Sequence, residues 1–322
     1  MLLFFYTCTL KNVKQAQTAA ATISFVGDLM CYPSMHRVFH TKNSYDFRPL
    51  FVNVKSNLIC SDLTIGNLET VVSTNAPLSG YPRFNAPREY LVALTNAGFD
   101  LLSLANNHIY DLGPAGLLDT MAILTEYQLN YTGVSQNSNS YTRIFYTNIK
   151  SIKFAFIAYS YGFNRRINNK FANAAVFHED KQKLAPVVKD VNKALSKHSD
   201  FIILITHWGK EYQTETNPQI IKNALYLLEQ GIDIIIGMHP HMLQPVCIYH
   251  NVKGYKKLAA YSLGNFVSAQ KRDKRLKTGM ILNLTFVKKN NTKSFFIKNR
   301  IKTRIQITSD PCTYKINTRQ LK

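Results

Sequence analysis

Acidic residues are scarce in this chain. Its 322 residues hold 19 Asp and Glu against 39 Lys and Arg, for a formal net charge of +20 at pH 7. A balance this basic argues against a cationic partner and favours a polyanion: nucleic acid, an anionic membrane surface or an acidic polymer. A chain rich in Asn, Lys, Ile and Tyr is also what AT-rich coding sequence yields, so charge alone does not choose among them. Cysteine is sparse and scattered. Cys8, Cys31, Cys60, Cys247 and Cys312 include no CxxC pair, which excludes a zinc ribbon and a thioredoxin-like redox motif and leaves mostly small buried hydrophobes. Long apolar runs are missing as well: no segment after residue 10 approaches the 18 or so uninterrupted apolar residues of a membrane-spanning helix. Internal repeats and low-complexity linkers are absent, which favours one large domain over two independent ones.

The first ten residues, MLLFFYTCTL, are too short to span a bilayer. They fit the apolar region of a signal peptide with residues 16–22 as a cleavage zone, although no basic residue precedes them and Lys11 and Lys14 follow. Residues 1–20 are therefore set apart as a signal or anchor segment, 21–310 as a single domain and 311–322 as a tail. The expected place is the cell envelope, membrane-associated or exported, with the cytoplasm as the alternative.

What the chain does have is 46% hydrophobic and 12% aromatic residues, enough for a substantial core. Apolar strand-like runs alternate with amphipathic stretches. Ile23–Val26, Leu63–Ile65, Phe99–Ala105, Phe201–Thr206 and Ile232–Ile236 read as strands. Residues 46–58, Pro87–Ala97, Pro114–Gln128, Lys181–Lys197 and Pro218–Glu229 read as helices, several opened by proline or closed by glycine. Residues 142–149 and 152–160 predict a hairpin, and from Pro245 onward the pattern is hairpin-like, with turns near 251–254 and 290–293. Continuous apolar strands between amphipathic helices predict an α/β core with central strands covered on both faces, plus a mixed or second sheet from the C-terminal third.

Each apolar run ends in a polar residue of a metal-binding type. Asp28 follows ISFVG, Glu69 follows LTIGNL, Asn107 and His108 follow LLSLAN, His207 follows FIILIT, and His239 and His241 follow IDIIIGM. In open α/β sheets ligands bind outside the carboxyl ends of the strands, so these residues would converge on one rim. Singly, each is as well explained as a turn former, a cap or a structural histidine. Jointly, carboxylate, amide and imidazole suit Zn²⁺, Mn²⁺ or Fe rather than an all-oxygen Ca²⁺ cage. A set this large fits one or two ions, in the latter case sharing a carboxylate at about 3.5–4 Å.

Six segments, in this order, carry a resemblance: FVGDLM (25–30), GNLET (66–70), LANNHIYDLGPAGL (104–117), THWGKEY (206–212), GMHPHMLQP (237–245) and YSLGNF (261–266). Together they resemble the bacterial capsule-synthesis protein CapA family, associated with poly-γ-glutamate capsules. The resemblance implies a metallophosphoesterase-like αββα sandwich of two packed mixed sheets flanked by helices. It also implies roles. Asp28 would hold one metal, Glu69 (or else Asn67) would bridge, Asn107, His207 and His239 would complete the second shell, and His241 would return to the first. His108 would act beside the substrate, oriented by Asp111, while Trp208, Glu211, Tyr212, Gln244 and Asn265 would shape the pocket. One departure stands out: Met30 occupies the place of the histidine in the Asp-x-His opening of typical metallophosphoesterases, and Met is a poor ligand for hard or borderline ions. Fewer than two tightly held ions are expected.

Two functions follow. One is a component of anionic exopolymer production, with poly-γ-glutamate as the implied polymer and membrane-bound synthase components as partners. The other is a metal-dependent phosphoesterase acting on a small or nucleotide-like phosphate ester. The basic cluster KRDKRLK at 271–277 is read either as a polymer path or as a solvated loop. Nucleic acid ranks last, because no nucleic-acid-binding motif accompanies the charge.

Overall fold

Residues along each central strand alternate between two apolar environments, and that alternation builds the layers. The structure, a computed structural model, describes residues 18–135, 144–165, 181–270, 272–290, 292–309 and 312–321. Residues 1–17 of the expected signal or anchor segment, Cys8 and Lys271 lie outside these.

The first part of the chain runs β1 (Thr18–Leu29), α1 (Pro33–Val38), α2 (Arg48–Phe51), α3 (Lys55–Ile59), β2 (Leu63–Leu68), β3 (Val71–Val72), β4 (Asn85–Ala86), α4 (Glu89–Ala97), β5 (Leu101–Ser103), α5 (Gly113–Glu126) and β6 (Asn130–Thr132). Next come β7 (Phe145–Ile149), β8 (Ile152–Ser160), α6 (Ala185–Ser196), β9 (Phe201–His207), α7 (Pro218–Glu229), β10 (Ile234–Met238), β11 (Val246–His250) and β12 (Lys256–Ala260). The chain closes with β13 (Asn265–Val267), β14 (Thr278–Lys289), β15 (Thr292–Ser309) and β16 (Cys312–Leu321). Among the described residues the first sheet has the order β16-β15-β14-β1-β2-β5-β6, with β13 paired to the end of β1, and the second has the order β11-β12-β10-β9-β8-β7.

Both sheets are mixed. β1, β2, β5 and β6 are parallel, as are β8, β9, β10 and β12, while β14–β16 and the β7 and β11 edges are antiparallel. Phe25, Ile65, Phe156, Ile203, Ile205, Ile234 and Ile236 meet in the layer between the sheets. Their strand neighbours point the other way. Val26 and Leu68 pack under α4 and α5 with Leu91, Leu94 and Leu117. Ile202, Leu204 and Ile235 pack under α6 and α7 with Val187, Val191, Ala224 and Leu227. The result is the expected αββα sandwich. Phe154, Phe201 and Phe286 lock the middle layer, with Phe286 edge-on to both others at centroid separations of 5.1 and 4.8 Å.

Several expectations are corrected. Residues 46–58 form two short helices, α2 and α3, because the β-branched Val52 and Val54 around Asn53 interrupt a weak helical stretch. The α-helix expected from Lys181 begins at Ala185, after a 3₁₀ turn over Lys181–Leu184, since Pro186 suits a first turn and not an interior. Residues 18–22, placed in the cleavage zone, belong to β1 and pair with β14 from Thr18–Lys289 to Thr22–Thr285. The segment set apart as a tail supplies β16, the edge strand hydrogen-bonded along β15.

A close approach at one strand end positions the site. A Cβ on Gly27 would fall 1.8 Å from the Gly264 carbonyl oxygen, so only glycine lets β1 run against the 262–265 segment. The Asp28 amide then donates to the Gly264 carbonyl at 3.0 Å, placing Asp28 beside Asn265.

Candidate metal centre

Glu69 sits at the carboxyl end of β2, fully buried, and among the described residues neither of its carboxylate oxygens has a hydrogen-bond partner. Two imidazoles face it: His207 Nε2 at 3.6 Å and His241 Nε2 at 3.8 Å from Oε1. These distances are too long for hydrogen bonds. They are the separations expected between atoms sharing a cation, since ligand bonds of about 2.0–2.2 Å leave adjacent donors roughly 3–4 Å apart. Glu69, His207 and His239 form one group of converging donors, and Asp28, Glu69 and His241 form another, each within 4.8 Å, with Glu69 common to both. Burial, reinforced by the neighbouring Asp28 carboxylate, pushes the Glu69 carboxyl well above its usual range. A buried carboxylate without donors is costly, and a divalent ion would remove that cost. The residues fit a metal.

Hydrogen bonds fix how the other donors point. His241 Nδ1 faces two acceptors, Asp28 Oδ2 at 3.1 Å and Asn265 Oδ1 at 3.0 Å. Its proton is therefore on Nδ1, and the Nε2 lone pair is aimed at Glu69. Asn67 donates from Nδ2 to Asp28 Oδ1 at 2.8 Å, and accepts from Asn106 Nδ2 at 3.2 Å. Asn67 thus braces Asp28, and its Nδ2 also lies 3.3 Å from His207 Nδ1.

On the other side, His207 Nε2 meets Asn107 Oδ1 at 2.9 Å, and the His207 and His239 rings lie 4.6 Å apart. Burial, and then the neighbouring imidazoles, hold His207 well below the usual histidine range and bring His239 down to about 3. Both are neutral near pH 7, as metal ligands must be. His239 and His241 have φ of 95° and 57°, a left-handed backbone that non-glycine residues rarely adopt. Such strain, about 1–3 kcal/mol per residue, gathers at functional sites because the surroundings over-determine it.

The centre forms one side of an open pocket of about 780 Å³, which the largely buried His239 and His108 help to line. His108 Nδ1 bonds Asp111 Oδ2 at 2.7 Å, and Asp111 also accepts from the Phe84 amide at 2.7 Å. Asp111 thus orients the ring and leaves Nε2 on the pocket side, where Asn164 Nδ2 lies 3.4 Å away. Glu211 and Tyr212 line the same pocket.

Not every residue marked in the sequence faces it. Trp208 is fully buried on the opposite face of β9, donates from Nε1 to the Tyr261 carbonyl at 3.0 Å and packs with the α6 and α7 layer. Gln244 donates from Nε2 to the Gln213 and Glu215 carbonyls at 2.9 and 3.2 Å, which makes it a staple for that loop. Asn265 lies beneath His241 and also donates to the Leu276 carbonyl at 2.7 Å. Six lining residues stand outside the motifs, Tyr81, Pro82, Arg83, Tyr161, Asn164 and Arg165, while Lys210 lies within THWGKEY but carried no expected role. Tyr161 alone had a signal, for it follows the β8 run as His108 follows β5, and its ring rests 4.7 Å from that of His239.

Comparison with known proteins adds the following. The family described as bacterial capsule synthesis protein PGA_cap matches residues 22–270. The capsule biosynthesis protein CapA of Bacillus anthracis is 30% identical over 271 residues, covering 80% of this chain and 62% of that protein. The PGA biosynthesis protein CapA of Bacillus subtilis is 27% identical over 263 residues, covering 80% of this chain and 66% of that one. The chain thus spans somewhat under two thirds of the length of these relatives. Among solved structures, the Thermus thermophilus sulfate thiohydrolase SoxB superposes with a TM-score of 0.46 at 11% identity, over 86% of this chain and 56% of that one.

Proposed function

The chain belongs to the bacterial capsule synthesis PGA_cap family, and from that premise we propose that it serves production of a poly-γ-glutamate capsule through a divalent-metal, hydrolase-type site acting on the polymer. The observation that carries this reading is the fully buried Glu69 carboxylate, without a donor among the described residues and faced by His207 and His241 at 3.6 and 3.8 Å. Glu69, Asn107, His207 and His239 would hold the tighter ion, with Asp28 and His241 on the far side of Glu69. The ion would be Mn²⁺, Zn²⁺ or Fe, and when bound would act as a Lewis acid and supply an activated water.

The protein's own groups do the rest. Asp111 keeps the His108 proton on Nδ1, so Nε2 can take up or return a proton at the leaving group. The Tyr161 ring, 4.7 Å from that of His239, walls the centre on the second-sheet side. Membrane-bound synthase components at the cell envelope are the partners this role requires. Among the described residues no helix is long and apolar enough to cross a membrane.

A second reading, a phosphoesterase, rests on the same donor set, which polarises a phosphoryl oxygen as readily as a carbonyl. Incubating the Mn²⁺-loaded chain with γ-linked polyglutamate and with an aryl phosphate ester distinguishes the two. Polymer shortening is expected, and His108→Ala should lower its rate by about 10²–10⁴ while leaving bound metal unchanged. Turnover of the phosphate ester alone would favour the second reading. Loss of metal in His108→Ala would overturn the assignment of that residue.

A further inference from the structure

The pocket beside the metal centre carries cations that form no ion pair among the described residues. Arg83, Arg165 and Lys210 all line it, all are exposed, and among the described residues none of them forms an ion pair. They stand on three separate loops. Arg83 follows β3 on the first-sheet side, while Arg165 and Lys210 follow β8 and β9 on the second. Arg165 is seated: its guanidinium rests over Gly113, where any Cβ would come within 3.1 Å of Nη1. The carboxylates on the same walls are Asp111, engaged by His108, and Glu211.

Beyond the rim the positive character continues. The Arg272 guanidinium lies over the ring of Tyr212, itself a wall residue, at 5.2 Å. It opens the basic turn, whose Arg275 is neutralised by Asp273 at 2.7 Å. That turn is tied to the centre, because its Leu276 carbonyl accepts from Asn265.

Cations converging on one point would suit a single phosphate. Cations spread over both sides of a 780 Å³ opening suit a ligand with several spaced anionic groups. Guanidinium groups add a preference for carboxylates, which they engage in pairs of parallel hydrogen bonds. We propose that Arg83, Arg165 and Lys210 form a carboxylate clamp holding an extended γ-linked polyglutamate chain across the metal centre, with Arg272 continuing the track along the rim. The clamp rests on the capsule reading and adds to it the residues that select the polymer.

The test measures binding rather than turnover, by fluorescence anisotropy of a labelled γ-linked glutamate oligomer at one moderate salt concentration. One variant combines Arg83→Gln, Arg165→Gln and Lys210→Gln. A control combines Lys253→Gln, Lys289→Gln and Lys315→Gln, exposed positions away from the pocket that remove the same charge. The pocket variant should bind about tenfold or more weakly, and the control should change less than about threefold. Should the pocket variant fail to reach the wild-type melting temperature, the single Arg83→Gln and Arg165→Gln variants replace it, each expected to lose about threefold. Equal weakening by pocket and control variants would overturn the clamp, since the attraction would be generic charge, while leaving the capsule reading in place. If the wild-type chain does not hold the oligomer, clamp and capsule reading fall together.

Discussion

Asp28 and Asn265 lie side by side at the ends of two parallel strands, and each presents an oxygen to the same nitrogen, Nδ1 of His241, at 3.1 and 3.0 Å. Two acceptors on one ring nitrogen leave the opposite nitrogen no choice but to face Glu69. Partners of this kind fix the tautomer and orientation of a ligand, and losing one costs about 10–100-fold in metal affinity. Asn265→Ala should therefore weaken Mn²⁺ binding by about tenfold in calorimetric titration. Because Asn265 also holds the Leu276 carbonyl, a smaller drop in melting temperature should accompany it.

Glu69→Gln should act in opposite directions with and without metal. Glu69 is a buried acceptor without donors among the described residues, so the neutral amide should stabilise the metal-free protein by about 1–3 kcal/mol. The rise in melting temperature that Mn²⁺ gives the wild type should vanish in the same variant. A metal-dependent rise that survived would show that Glu69 is not a ligand.

Met30 lies two residues on from Asp28, is buried, and has its sulfur 3.6 Å from the Tyr32 hydroxyl, a donor. A thioether adds little for a borderline ion, so the Asp28 and His241 side should fill weakly. Elemental analysis after Mn²⁺ loading and desalting should find about one ion per chain, and Met30→His should raise that number. Two ions retained by the wild type would show that Met30 does not limit the site.

His36 gives the fold an acid-sensitive point away from the metal centre. Its ring is buried with Nε2 unpartnered among the described residues, and burial, aided by Arg37, brings its pKa from 6.5 to about 4. Between those values the unfolded chain takes up a proton that the folded chain refuses, so stability falls as pH falls. The loss should total up to about 3 kcal/mol from pH 7 to pH 4. Thermal melts of His36→Gln should show a shallower fall across that range than wild type.

The sequence by itself determined where the strands end and which chemistry stands there. Apolar runs closing on Asp28, Glu69, His207 and His239 were legible because strands covered on both faces must be continuously apolar, and the first polar residue marks the rim. The convergence of Asn107 on His207, a hundred residues apart at 2.9 Å, was implied only through that rule about strand ends.

Only the tertiary structure decided which neighbours of a ligand face the pocket. His207 and Trp208 adjoin in one motif, yet successive strand residues point to opposite faces, so the histidine reaches the centre and the tryptophan the helical layer. Tertiary packing also turned Cys312–Leu321, within the expected tail, into a sheet edge, and turned Gln244 inward to its own loop. It gathered Arg83, Arg165 and Lys210 from three loops around one opening. Loop cations carry no periodicity, so their meeting is set by the scaffold that holds the loops and not by any local pattern in the chain.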